Sequence, residues 1–472
     1  MAIVISGMSW ILNSLYAVAL LAALPWLAWR RYHSGRYRAG WRHKLLGLRR
    51  GEFHKRRPGP VIWVHGVSVG EIQLLQPLVV QWQREQPDYQ FAISSTTDSG
   101  MQLARKLFSS DVWLFYFPLD FSWAVQRTLA VLQPSLLVLG ELELWPNLIA
   151  ACRRRKVPVA VVNGRLSPRS WAGYQRLGKL TRGMFESVSL IAAQSESNAE
   201  RFRSCGAQDT TFVTGSIKFD NVAFDRHAAE VDRLRRLVGL GATDRVWVMG
   251  STQAGEELPA IEAFWRLRSD FPSLKLILVP RHPDRFAEVA ELLQRSGLRW
   301  LRRSEIQQPV EGAAWEVLLV DTVGELKWWW GLAEIAIVGG SFGARGGQNM
   351  LEPAAYGANT AFGPQTTNFR DIVELLLAGD ASTRLHKLEE IESWVRQELR
   401  DPEPGQARGA RARQIIAQGQ GALQRTLDAL QQLLQASRGS NRWATDLEVR
   451  RTEFQQLPQE SPSSDGYSAG DR

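Results

Sequence analysis

Strands that alternate with helices from residue 58 to about residue 380 predict an α/β protein built from two parallel-sheet domains. Three observations carry this. Short apolar runs recur at Val61–His65, Tyr89–Ser94, Leu136–Leu139, Val157–Asn163 and Leu190–Gln194, then at Val246–Gly250, Lys275–Val279, Trp315–Val320, Glu334–Val338 and Thr360–Phe362. Each leads through a loop toward a helix-forming stretch, the pattern of strands buried on both faces. The chain, at 472 residues, is too long for one hydrophobic core.

The elements follow in order. Residues 1–30 form a membrane-anchor helix, because residues 1–29 carry no charged side chain and Trp10 to Trp29 reads WILNSLYAVALLAALPWLAW. Twenty helical residues cover roughly 30 Å, about a bilayer's hydrocarbon thickness. Trp10, Trp26 and Trp29 stand where interfacial anchors stand. The segment either spans the membrane or lies in its interface. Residues 31–57 form a basic juxtamembrane segment; residues 30–57 hold eleven Lys or Arg against one acid, Glu52. A basic block beside an apolar segment points to an anionic lipid surface rather than to nucleic acid. The same block places the rest of the chain on the cytoplasmic side of the membrane. Residues 58–225 are the first Rossmann-like domain and residues 226–405 the second, with a cleft expected between them. One closing helix is expected over residues 406–436, and a polar tail without order over residues 437–472. Cys152 and Cys205 show neither metal-ligand spacing nor a disulfide framework. Nothing in the sequence assigns an oligomeric state.

The candidate chemistry sits where strands end. Glu71 follows a strand and a Ser/Gly loop, at a helix start, where one carboxylate suffices for general base catalysis. Glu141 and Glu143 end an apolar strand, two residues apart and on one side if the strand continues. Lys218 lies in the connector TGSIKFD between the domains. In the second half three strand ends converge: Pro280-Arg281-His282-Pro283, Asp321-Thr322-Val323-Gly324-Glu325, and the stretch Gly339–Ala355, GGSFGARGGQNMLEPAA. Glycines before a helix start are expected to cradle a phosphate on backbone N–H groups. Together the three loops point to a nucleotide. With no catalytic triad and no metal or redox cluster in the sequence, group transfer from a nucleotide-activated donor is the economical hypothesis.

Seven segments carry a family resemblance: HGVSVGE (65–71), ELELWPNLIAA (141–151), NGRLSPRS (163–170), GSIKFD (215–220), GSTQAGEE (250–257), LVPRHPDRF (278–286) and the stretch 339–355. The chain resembles the 3-deoxy-D-manno-octulosonic acid (Kdo) transferases of lipopolysaccharide assembly. That resemblance implies a GT-B glycosyltransferase fold, with the acceptor held by the first domain and the donor by the second. It implies CMP-Kdo as donor, the tetraacylated lipid A precursor (lipid IVA) as acceptor, inversion at the anomeric centre, and no metal or other cofactor. It places the catalytic base at Glu71 and transition-state stabilisation at Glu141 and Lys218. CMP contacts fall at Pro280 and Arg281, at Val323, Gly324 and Glu325, and at Asn349, Met350, Leu351 and Glu352. The chain departs from the family where Gln348-Asn349-Met350 replaces His-Asn-Pro, Val323 replaces Met and Gln253 replaces His. Glutamine hydrogen-bonds like neutral histidine but carries no titrating proton. The alternatives are another membrane-associated glycosyltransferase of this fold with a different nucleotide sugar, or a non-catalytic protein of the membrane surface.

Overall fold

The computed structural model describes residues 2–34, 39–53, 56–222, 225–312 and 314–438. The polar tail expected to lack order lies, from residue 439 onward, outside the described residues. The chain divides into two compact units, 1–217 with 421–472, and 218–420.

The first unit is a seven-stranded parallel sheet. Its strands are β1 (Val61–His65), β2 (Gln90–Ser95), β3 (Trp113–Tyr116), β4 (Leu136–Gly140), β5 (Val159–Gly164), β6 (Leu190–Ala193) and β7 (Thr211–Val213). Their order across the sheet is β3-β2-β1-β4-β5-β6-β7. Side chains alternate across the strands, so each strand feeds two cores. Val61 and Trp63 of β1 join Leu137 and Leu139 of β4 in one core. Ile62 and Val64 join Leu136 and Val138 in the other.

The second unit repeats the plan with β8 (Arg245–Thr252), β9 (Leu274–Pro280), β10 (Trp300–Arg302), β11 (Val317–Leu319), β12 (Ile335–Val338), β13 (Asn359–Phe362) and β14 (Thr383–Arg384). The order is β10-β11-β9-β8-β12-β13-β14. Val246, Val248, Ala336 and Val338 face one core, and Trp247, Met249, Ile335 and Ile337 the other.

Each sheet has a switch point where chain order runs outward to both sides, between β1 and β4 and between β8 and β12. A crevice opens outside the carboxyl ends of strands at such a point, where ligands of open α/β sheets bind.

The single closing helix expected over 406–436 is two helices, Pro402–Gly419 and Ala422–Arg438. Gly421, at φ +83°, sits between them in the left-handed region that a glycine adopts without steric cost. The break coincides with the division between the units. Leu427, Leu430 and Leu434 of the second helix pack at helical spacing into a core of the first unit.

Candidate active site

The first unit gathers carboxylates at the β1/β4 switch point. Glu71 lies in the first turn of the helix Val69–Glu85. Its Oε2 accepts from the Val67 N–H at 2.7 Å, and its Oε1 from the Ser68 hydroxyl at 3.2 Å. Gly140 ends β4 beside it: a Cβ there would stand 3.2 Å from Leu75 Cδ1 and 3.8 Å from Glu71 Oε2. The next residue, Glu141, takes φ +55°, a left-handed conformation that a non-glycine residue rarely adopts. Such strain concentrates where surrounding structure over-determines it, commonly at functional sites. Here the Glu141 N–H donates to Val162 O at 3.0 Å and holds the turn in place.

Burial raises the Glu71 carboxyl to a pKa of about 7, and the neighbouring charges of Glu141 and Glu143 push the same way. The Val67 N–H and the Ser68 hydroxyl oppose the rise without cancelling it. Burial also raises Glu143, against the Trp145 indole N–H that donates to its Oε2 at 3.1 Å. Three acids thus crowd together, one of them poised near neutrality. His65, in the same motif, is core: it is fully buried, stacks on Phe117 with centroids 3.7 Å apart and has Nδ1 3.0 Å from Ser94 Oγ. Burial depresses its pKa to about 3, so it is neutral and takes no proton from Glu71.

Lys218 falls in the 3-10 turn Ile217–Asn221, the first residue of the second unit. Just ahead of it, Asn163 at the tip of β5 accepts from the Ile217 N–H at 3.2 Å and the Ser216 hydroxyl at 3.3 Å.

In the second unit two of the three expected loops touch, through Arg281 and the glycine-rich stretch. Arg281 follows β9, and its backbone N–H donates to Thr252 O at 3.0 Å. Its Nε donates to Gln348 Oε1 at 3.2 Å. Gln348, one of the departures from the family pattern, therefore orients the arginine, a task that needs an acceptor and no charge. Glu352 feels Arg281 and Lys327 electrostatically, but burial outweighs them and raises its carboxyl. Asn349 bridges outward: its Oδ1 accepts from the Leu351 N–H, and its Nδ2 donates to Glu352 Oε1, both at 3.1 Å. Glu325 accepts from Thr322 Oγ1 at 2.6 Å and Arg303 Nη2 at 2.8 Å. Between them Gly324 takes φ +91°, and Val323 projects into solvent, 80% exposed. His282 is exposed and caps the turn Pro283–Arg285.

Two expectations change. The side chains of Met350 and Leu351 lie in the core, 0% and 2% exposed, so only their backbone can meet a ligand. The glycine-rich loop is not an open anion cradle at its start. Glu256 fills it: Oε2 accepts from Gly340 N at 2.8 Å and Gln253 N at 2.9 Å, and Oε1 from Phe342 N at 3.3 Å. Gly339 permits this approach, since a Cβ there would come within 2.7 Å of that carboxylate and of Thr252 Cα. The helix that follows is only Leu351–Ala355. The sequence singled out neither Glu256 nor Arg303 for the site, and marked Gln348 only as a departure from the family pattern. Glu256 stood inside GSTQAGEE, but nothing in its spacing says that a carboxylate would occupy a backbone site usually left for a ligand.

Paired parallel-sheet domains of this topology, each with polar side chains collected at its switch point, are the architecture of a GT-B glycosyltransferase. The family model for 3-deoxy-D-manno-octulosonic-acid transferase (kdotransferase) matches residues 40–221. A 3-deoxy-D-manno-octulosonic acid transferase of Bordetella pertussis is 38% identical over 442 residues, 89% of this chain and 99% of its own length. That of Haemophilus influenzae is 34% identical over 381 residues, 80% of this chain and 88% of its own. Among solved structures, UDP-GlcNAc 2-epimerase from Neisseria meningitidis bound to UDP-GlcNAc superposes with a TM-score of 0.51. It is 13% identical and covers 78% of this chain and 99% of its own, a likeness of fold. The chain belongs to the 3-deoxy-D-manno-octulosonic acid transferase family.

Proposed function

We propose that the protein transfers Kdo from CMP-Kdo to lipid IVA at the cytoplasmic face of the inner membrane, inverting the anomeric centre. The observation that carries the reading is Glu71, a half-buried carboxyl beside two further acids with a pKa raised to about 7. At that value a carboxylate is basic enough to take a proton from an alcohol as the alcohol becomes a nucleophile. The acceptor's primary hydroxyl oxygen attacks the Kdo anomeric carbon, its proton passes to Glu71, and the bond to the CMP phosphate oxygen breaks from the opposite face. Glu141 stabilises the positive charge that develops on the sugar. Lys218 offsets the negative charge of the departing phosphate.

CMP is held by the second unit. Arg281, aimed by Gln348, meets the phosphate. Pro280, Gly324, Glu325, Asn349 and Glu352, with the backbone of Val323, Met350 and Leu351, frame the rest of the nucleotide. Incubating the purified chain with lipid IVA and CMP-Kdo, and weighing the product by mass spectrometry, tests the reaction. Addition of a Kdo residue is expected, and transfer from UDP-sugars but not CMP-Kdo defeats the assignment.

Arg281→Ala removes one charge-assisted contact to phosphate, worth about 1.5–3 kcal/mol. CMP affinity is expected to fall roughly 10- to 150-fold by calorimetry, with affinity for the lipid acceptor unchanged.

A further inference from the structure

The uncharged N-terminal stretch belongs to one helix, Ala2–Ser34, whose window Ser9–Trp26 is long and apolar enough to cross a membrane. Two of its side chains contradict that topology. Asn13 is 5% exposed. Its Nδ2 donates to Ser122 Oγ at 2.8 Å, and its Oδ1 accepts from the Ser122 N–H at 3.0 Å and from Asn147 Nδ2 at 3.4 Å. One turn on, the Tyr16 hydroxyl donates to Asp120 Oδ2 at 3.1 Å, and its ring meets Phe121 edge-on at 6.1 Å. Asp120 is itself built into the domain. It accepts from the N–H groups of Asn147 and Leu148 at 2.9 and 2.8 Å, satisfying the first turn of the helix Pro146–Arg154. Asn13 and Tyr16 therefore close a polar network of the folded domain.

The latch divides the uncharged stretch. Asn13 and Tyr16 both fall inside the candidate window Ser9–Trp26. From Ala17 to Trp29 there are thirteen residues, about 20 Å, before Arg30 and Arg31. Hydrocarbon is roughly 30 Å thick, so the arm after the latch does not cross it, and the window Ser9–Trp26 cannot cross without taking the latch into the bilayer. Placing the latch inside the bilayer would carry the domain's backbone N–H groups and the Asp120 carboxylate into hydrocarbon, which the membrane does not tolerate.

We infer that this helix does not span the membrane but lies along its surface, pinned to the first domain through Asn13 and Tyr16. The inference deepens the membrane-surface part of the proposed function and rests on it. The face it offers is apolar: Trp10, Ile11, Leu15, Val18 and Leu21 are all exposed. The occupant of that face is an anionic lipid bilayer, because eleven Lys or Arg follow within residues 30–57 and Arg49 and Arg50 among them are exposed.

The test uses the full chain and needs no transfer assay, so it fails or succeeds separately from the enzymatic reading. Both native cysteines are buried. Ala2→Cys and, separately, Ser110→Cys on an exposed turn of the first domain are labelled with a membrane-impermeant maleimide in spheroplasts, intact and lysed. Both positions are expected to label on the same side, with equal protection before lysis. Labelling of Ala2→Cys alone in intact spheroplasts means that the helix crosses, and overturns the inference. Sedimentation of the purified chain with vesicles tests the lipid. Binding to phosphatidylglycerol–phosphatidylcholine vesicles is expected to exceed binding to pure phosphatidylcholine at least tenfold and to weaken with salt. Equal binding to both rejects the anionic surface.

Discussion

Glu71→Gln is expected to lose transfer by roughly 10²–10⁴-fold while CMP binding stays at its native value. The substitution keeps the shape of the side chain and removes only its capacity to take a proton. The pH dependence should change with it. In the native enzyme the active form is the carboxylate, so the rate should rise as pH climbs through about 7, the pKa to which burial lifts this group. Stability moves the other way. A carboxyl whose pKa is higher in the folded chain than in the unfolded one binds its proton more tightly when folded. The folded state therefore loses stability between the ordinary value of 4.5 and about 7 as the proton leaves. Glu71→Gln should abolish that loss and melt slightly above the native protein at pH 8. Rate profiles from pH 5 to 9, with melting curves at the same points, check both arms. Near-native transfer by the glutamine variant would remove Glu71 as the base.

What could be read from the sequence, and what could not, follows the burial of each element. The ten strands expected from apolar runs are all present, and the interior ones are buried on both faces. The four outside that expectation, Trp113–Tyr116, Thr211–Val213, Trp300–Arg302 and Thr383–Arg384, are the ends of the two sheets, and of these Trp113–Tyr116 is itself an apolar run. An edge strand pairs on one side only and needs no continuous apolar stretch; Trp300–Arg302 and Thr383–Arg384 contain no fully buried residue. The two closing helices read as one in the sequence for a local reason. The spacing of apolar residues continues through Gln420, and a single left-handed glycine ends one helix and starts another. At the site, Glu71 and the clustered acids were marked by their place at strand ends. The filling of the glycine loop by Glu256 was not, because it joins residues 84 apart in the chain. Nor was the pairing of Arg281 with Gln348, 67 residues away. Long-range polar contacts leave no periodic trace in a sequence.

Glu257→Ala is expected to cost about 3 kcal/mol in the second unit, because it strands a buried cation. Glu257 and Arg285 have side chains 1% and 10% exposed and meet through two contacts, Nη1 to Oε1 and Nη2 to Oε2, the latter at 3.1 Å. They tie the helix Glu257–Leu267 to the turn Pro283–Arg285 just past Arg281. Glu288 also accepts from Arg285 at 3.0 Å, but its own side chain is 57% exposed, so water screens its share and it cannot replace the lost partner. Glu288→Ala should accordingly cost below about 1 kcal/mol. For a unit of this size, about 3 kcal/mol corresponds to a fall in melting temperature of roughly 6–12 °C. The double substitution Glu257→Leu with Arg285→Met separates the two meanings of the pair. A well-packed apolar replacement of a buried ion pair is commonly neutral or stabilising, since no charge has to leave water. The double variant should therefore regain most of the lost stability. CMP affinity should stay near the native value in the double variant, because Arg281 is still held by its own backbone bond to Thr252 and by Gln348. Stability restored without CMP binding would mean instead that the charge of Arg285 reaches the nucleotide, and that the donor site extends one turn further than Arg281.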